Sequence, residues 1–305
     1  MIWVILKIMA EIIFTLPSFA KINLFLRILG RRTDGFHEIR TVFQTVSLHD
    51  NLSFSRYDEI VLTCQNKNIP TDERNLIIKA ALELKQKLNV KIGAKIHLEK
   101  NIPAPGGLGG GSSNAAVALF GLLKLWEIEI DSAELLEIGE KLGSDVPFFF
   151  GGGTALGVGR GTEIFPLDDW TENHILIITP NVNVPTAEAF ARLNAPRLTN
   201  KTSKSILQIC RDDAQRLDLR QSLLVNDFEK TVFKIEGEIE RVKTKLLELK
   251  AEHALLSGSG ASVFAIFEDK AQLQNAFSAL KVEPDWRKFV VRTISRQEYR
   301  DLLKL

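Results

Sequence analysis

The chain opens on strand-like alternation. In Phe19–Leu29, FAKINLFLRIL, residues Phe19, Lys21, Asn23 and Phe25 fall on one face, and Ala20, Ile22, Leu24 and Leu26 on the other. Thr41–Leu48 and Leu52–Ser55 read as further strands, parted by a polar turn at His49, Asp50 and Asn51. The period then changes. Ile77, Ala80, Ala81, Leu84 and Leu88 recur at helical spacing behind the capping residue Asn75, which predicts a helix over Asn75–Leu88. Ile92, Ala94, Ile96 and Leu98 return to alternation. In IPAPGGLGGGSSNAAVALFGLLKLW the prolines and glycines bar regular structure up to about Gly111. The apolar run from Ser112 then predicts a helix buried on most sides.

A second glycine cluster, Gly151–Gly161, follows Asp145-Val146-Pro147, and Ile175–Thr179 reads as the first strand of a second domain. The boundary is expected near residue 168, giving domains at 1–168 and 169–305. Phe228, Val232, Ile235, Ile239, Val242, Leu246 and Leu249 step by four and three, which predicts one long helix over Asn226–Leu249, with Asn226 and Glu229 at capping-box spacing. LLSGSGASVFAIF turns tightly at Ser257–Gly260 and runs into a strand. Strands and helices in mixed order predict two α+β sandwiches rather than a doubly wound parallel sheet.

Composition narrows the partners. A length of 305 residues suits two domains, and 45% hydrophobic with 25% charged residues is an ordinary globular balance. Thirty-nine basic against thirty-eight acidic residues give no electrostatic reason to expect nucleic acid. Cys64 and Cys210 lack metal-ligand spacing and form no disulfide framework, so a reducing, cytoplasmic setting is expected. The first sixteen residues are apolar, but Lys7 and Glu11 interrupt a run too short to span a bilayer. They also lack the basic start and cleavage site of a signal peptide. Glu11–Leu16 is read as leading into the first strand, and Met1–Ile8 as an over-long start, because Met9 can itself initiate.

The loop Gly106, Gly107, Leu108, Gly109, Gly110, Gly111 carries the first chemistry. Backbone N–H groups meet a polyphosphate closely only where no side chain blocks the approach. A helix beginning at Ser112 adds unpaired N–H groups and its positive dipole end, and Ser112 and Ser113 add hydroxyls. A Walker loop is excluded, because no lysine ends the run. A dinucleotide fingerprint fits poorly, because Ser112 stands where its third glycine belongs and Pro103-Ala104-Pro105 separates strand from loop. A flexible connector remains the bland reading. Lys21 and Asn23 share a strand face, which is either a solvent face or a lysine held against an apolar wall to act on a phosphate or carboxylate. Asp34-Gly35 marks a turn, after which Phe36 and His37 offer an aromatic face and an imidazole to a flat base. Asp145 serves either a helix start before Pro147 or a ligand beside the glycines that follow.

Four segments together resemble the GHMP kinase superfamily: PSFAKINLFLRILGRRTDGFHEIRTVFQTVSLHD, PGGLGGGSSNAA, LGSDVPFFF, and NDFE with LSGSGAS. The likeness runs from about Thr15 to the C-terminal strand. It implies a two-domain α+β fold, with an N-terminal domain like ribosomal protein S5 domain 2 and a C-terminal ferredoxin-like domain, the site lying in the cleft between them. The combination of AKIN with DGFHE resembles the branch that moves the γ-phosphoryl of ATP to the 2-hydroxyl of 4-diphosphocytidyl-2-C-methyl-D-erythritol in non-mevalonate isoprenoid synthesis. By that resemblance Asp145 takes the hydroxyl proton and Lys21 pairs with it. Asn23 and His37 contact substrate, while Phe36 and Phe190 cover the two cytosine faces. Lys100 lies beside adenine, and Pro103 with Gly106–Ser113 forms the ATP loop. Mg²⁺ is implied as cofactor with no ligand assigned, and a small-molecule substrate, no membrane and a monomer or weak homodimer are expected. Pro105 replaces a small residue and Phe36 a tyrosine, so the loop is stiffer and one hydroxyl is lost. The rivals are a mevalonate, homoserine or sugar kinase of the same superfamily, and a nucleotide sensor without catalysis.

Overall fold

The computed structural model describes residues 13–199, 201, 202, 204–206, 208 and 224–305. The proposed over-long start, Glu11 and Cys210 lie outside them. Two long strands dominate: β1 (Phe14–Arg31) and β2 (His37–Tyr57) pair antiparallel along their whole length. β3 (Ile60–Cys64), α1 (Leu76–Lys87), β4 (Gly93–Glu99), α2 (Gly110–Trp126) and α3 (Ser132–Leu142) follow, then a 3₁₀ turn at Pro147–Phe150. β5 (Thr154–Gly159) and β6 (Glu163–Pro166) complete the first half. β7 (Ile175–Pro180), α4 (Thr186–Ala191), β8 (Val225–Asn226), α5 (Glu229–Ile235), α6 (Gly237–Glu248), β9 (His253–Leu256), β10 (Val263–Ile266), α7 (Lys270–Ala279), β11 (Trp286–Val291) and α8 (Arg296–Leu303) make up the second.

Seven strands form one sheet in the order β3-β4-β2-β1-β8, with β5 on the other half of β2 and β6 beyond it. Four form a second sheet, β11-β7-β10-β9, antiparallel throughout. Ala20, Ile22 and Leu24, the apolar face of β1, pack against Ile175, Ile177 and Phe264 of the second sheet. The opposite face turns to α2 and carries Lys21 and Asn23. Bulges after Phe19 and Asn23 bracket that segment and send Phe19 into the helical core beside Tyr299. Asn75 caps α1 as expected, accepting from the Ile77 amide. α2 is buried on most sides, and Gly121 admits the Phe54 ring, which a Cβ there would meet at 2.1 Å.

Three expectations require correction. The polar turn at His49–Asn51 does not exist, because β2 runs unbroken through it and Asp50 is fully buried. The helix over Asn226–Leu249 is two: the chain is extended at Glu236 before Gly237, so α5 and α6 meet at an angle break. The apolar seam nevertheless holds, with Phe228, Val232, Ile239, Val242 and Leu246 in one core. Asn226 caps no helix, lying instead in β8 opposite Leu26. The second glycine cluster is largely strand β5, and Gly152, Gly153 and Gly157 stand against protein, while Gly151 faces open space. A Cβ on Gly157 would meet the Phe43 ring at 2.6 Å, and one on Gly152 the Tyr299 ring at 2.4 Å.

Candidate active site

The glycine loop is held from both sides. Lys21 N–H of β1 donates to Leu108 O at 2.9 Å, while the Ser262 amide donates to Gly106 O and the Ser257 hydroxyl to Gly107 O. Gly109 sits at φ 69° as the N-cap of α2, a left-handed conformation that an L side chain adopts at a cost of about 1–2 kcal/mol. A Cβ there would meet Lys21 Cγ and Phe149 Cζ at 2.9 Å. The first-turn amides of Gly110, Gly111 and Ser112 therefore lie at a helix N-terminus that no side chain caps. α2 begins two residues before the expected Ser112.

Beside this loop Lys21, 3% exposed, donates to Asn23 Oδ1 at 2.7 Å and reaches Asp145 Oδ2 at 3.2 Å. Asn23 in turn donates to Thr41 Oγ1 at 2.8 Å, and Thr41 to Phe25 O. The chain of bonds fixes the ammonium, and the Phe43 ring lies 5.5 Å beneath it. Asp145 is the exposed end, at 32%, just before the 3₁₀ turn. It caps no helix, since Val146 occupies that position without a side-chain bond. The Phe149 carbonyl at the turn's end accepts from the fully buried Tyr299 hydroxyl at 2.6 Å.

A cavity of about 290 Å³ joins these parts: Lys21, Asp145, Gly107, Gly109 and Ser112 line one end, and Phe190 and Arg160 also face it. The His37 and Phe190 rings lie 5.0 Å apart, 31° from parallel. Phe190 stands edge-on to Phe228 at 4.8 Å. Burial and the neighbouring Arg31 charge hold the His37 pKa below 6.5, so the ring is neutral near pH 7. The half-exposed Phe36 ring carries the Arg160 guanidinium at 4.5 Å. His37 and Phe190 thus stand ring to ring, and Phe36 supports a cation.

Two residues expected to contact ATP have protein partners. Lys100 is buried against Asp50 at 2.6 Å, and burial lowers its pKa against that partner's pull. Asp50 also accepts from the amides of Asn101 and Ile102 and from Asn114 Nδ2. Ser113 accepts from Ser18, which accepts from Asn114, so its hydroxyl points into the core rather than to a phosphate. Asp50 is thereby the buried post that ties the loop's start to α2. Pro103, Gly106, Leu108 and Gly110 are buried scaffold, and Gly111 is exposed. Sequence reasoning missed Asp50, although its even spacing with Leu52 and Phe54 places it on their inward face. It also missed Thr41, Arg160 and Thr186, whose hydroxyl meets Ser259 at 3.0 Å and joins α4 to the Ser257–Gly260 loop. Asn226 pins that loop by donating to Leu256 O and Gly258 O.

No cluster of three metal-ligating side chains exists among the described residues. A Mg²⁺ carried by nucleotide phosphates needs only one or two protein oxygens, and the Ser112 hydroxyl and Asp145 carboxylate both line the cavity, so the residues fit.

Comparison with known proteins identifies the family. The GHMP kinases N terminal domain matches residues 75–153, and the GHMP kinases C terminal matches residues 205–283. The chain has the two-domain GHMP kinase fold. A solved 4-(cytidine 5'-diphospho)-2C-methyl-D-erythritol kinase superposes with a TM-score of 0.73 at 30% identity, covering 92% of this chain and 99% of that one. A homoserine kinase from Cytophaga hutchinsonii shares the fold at a TM-score of 0.66 and 20% identity, over 93% and 96% of the two chains. The 4-diphosphocytidyl-2-C-methyl-D-erythritol kinase of Solibacter usitatus is 37% identical over 290 residues, 94% of this chain and 90% of its own. That of Listeria welshimeri is 38% identical over 264 residues, 86% and 90%. The chain belongs to the GHMP kinases, and within them to the 4-diphosphocytidyl-2-C-methyl-D-erythritol kinase family.

Proposed function

We propose that the protein transfers the γ-phosphoryl of ATP to the 2-hydroxyl of 4-diphosphocytidyl-2-C-methyl-D-erythritol. The observation that carries this reading is the 3.2 Å contact of Lys21 with Asp145 beside the glycine loop, in a cavity that Phe190 also lines. Phosphoryl transfer has a loose transition state, so positioning and charge neutralisation supply most of the acceleration. Asp145 accepts the proton of the acceptor hydroxyl. Lys21, held by Asn23, keeps that carboxylate in place and meets the negative charge that develops beside it. The loop amides bind the transferring phosphates. Mg²⁺, when bound with ATP, neutralises phosphate charge, with Ser112 and Asp145 as the protein oxygens within reach. His37, neutral and therefore both donor and acceptor, reads the cytosine edge while Phe190 covers its face. Binding energy from that remote base is spent on orienting the hydroxyl.

An ADP-release assay with 4-diphosphocytidyl-2-C-methyl-D-erythritol beside mevalonate, homoserine and galactose tests the reading. Turnover with the cytidyl compound alone is expected. Turnover with one of the other three instead would refute it.

A further inference from the structure

We propose that Arg160 binds the diphosphate of the acceptor, holding it between the base clamp and the reacting hydroxyl. This inference rests on the acceptor assignment above and deepens it. A cytidyl-diphosphate acceptor brings a second anionic group into the cleft besides the ATP phosphates, and a diphosphate buried without a cation is strongly disfavoured. Two cationic side chains line the cavity, Lys21 and Arg160. Lys21 is committed, bonded to Asn23 Oδ1 at 2.7 Å and to Asp145 at 3.2 Å.

Arg160 is held for a ligand. Among the described residues no carboxylate is ion-paired with it; Asp34 lies near enough to feel its charge but is bonded to Arg32, which also holds Glu38. Its guanidinium instead lies over the Phe36 ring at 4.5 Å. A ring restrains a cation without offering it an oxygen acceptor, so the planar fork of N–H donors remains for an anion. The backbone places it firmly: Arg160 is the tip of a turn closed by Gly161 N–H to Val158 O at 3.0 Å, and Gly159 beneath it pairs with Ile39 of β2.

Position along β2 places Arg160 between the two ends of the acceptor. His37 at the strand's start marks the base end, and Thr41, bonded through Asn23 to Lys21, marks the reaction end. Four residues of strand separate them by roughly 13 Å. Arg160 touches Phe36, next to the base end, and lines the same cavity as Asp145. In a nucleotide-linked polyol the diphosphate lies between base and polyol, which is where this cation stands. The replacement of tyrosine by Phe36 keeps the ring that supports it.

The test is a ligand ladder on the full-length protein. Cytidine and CDP are titrated in the presence of a saturating non-hydrolysable ATP analogue, and KM is measured for ATP and for the cytidyl acceptor. Wild type should bind CDP roughly 10–100-fold more tightly than cytidine, the worth of a charge-assisted pair. Arg160→Gln should erase most of that preference and raise the acceptor KM by a similar factor, leaving the ATP KM unchanged. Arg160→Lys should recover part of both. Phe36→Leu, which keeps the charge and removes its support, should give a smaller rise. An unchanged CDP preference and acceptor KM in Arg160→Gln, with wild type turning over the cytidyl acceptor, would overturn the inference alone. Absence of wild-type turnover with that acceptor would overturn the functional reading beneath it as well.

Discussion

Tyr299→Phe removes one hydroxyl at the far end of the chain and should slow the chemistry. Tyr299 is fully buried, and burial pushes its phenol well above the ordinary range, so the hydroxyl stays a donor at every working pH. Its partner is the Phe149 carbonyl at 2.6 Å, an orphan acceptor at the end of the 3₁₀ turn that follows Asp145. The Phe149 ring in turn lies beside Gly109, where a Cβ would meet its Cζ at 2.9 Å. One bond thus braces both the turn that follows Asp145 and, through the Phe149 ring, the glycine loop. Leaving that carbonyl unsatisfied costs about 1–3 kcal/mol. In a chain of this size that lowers Tm by roughly 2–6 °C. Misplacing Asp145 by a fraction of an ångström should lower kcat about tenfold, given that an error near 1 Å can cost about 100-fold. The ATP KM should change little. Steady-state kinetics with thermal melts read both effects. A lowered Tm with unchanged kcat would reduce Tyr299 to a structural role, and an unchanged Tm would show that the bond contributes nothing.

Gly109→Val should abolish measurable ATP binding in calorimetry, because the side chain must occupy a φ of 69° and displace Lys21; retained affinity would remove the loop from the nucleotide site. His37→Ala should raise the KM of the cytidyl acceptor far more than that of ATP, and equal effects would undo the base assignment. The His37 pKa is lowered in the folded protein, so its neutral form is favoured there. Its contribution to binding is kept down to the folded value, which lies below 6.5, and is lost as pH falls through it. The acceptor KM of wild type should therefore rise on acidification below pH 6.5, and in His37→Ala that rise should be absent. Asp50→Asn strands the buried Lys100 ammonium and should cost about 3–5 kcal/mol; adding Lys100→Met should restore much of it, and a stable single variant would contradict the buried-post reading.

Much of the site was readable where parity or glycine spacing governs. Two residues apart on a strand, Lys21 and Asn23 had to share a face, and the loop at Gly106–Gly111 had to admit something close to its backbone. The meeting of Lys21 with Asp145 spans 124 positions of chain and has no local signature, so only the family resemblance pointed to it. Asp50 was read as a turn because three polar residues in a row outweighed its parity with Leu52 and Phe54. Glu236-Gly237 broke a helix whose apolar seam ran on undisturbed, since periodicity reports the buried face and not the continuity of the backbone. The glycines of 151–161 suggested space for a ligand, but space beside glycine is equally well filled by rings such as Phe43 and Tyr299, whose identity no local pattern discloses. Arg160 was overlooked because a lone arginine between two glycines looks like any surface turn.

The pairing of carboxylate and ammonium at the phosphate seat is tested most directly by the chemical step of Asp145→Asn. In rapid-quench single turnovers with ATP and the cytidyl acceptor both saturating, the rate should fall by roughly 10²–10⁴. Calorimetric ATP affinity and the melting temperature should stay near those of wild type. A single-turnover rate close to wild type would contradict the account.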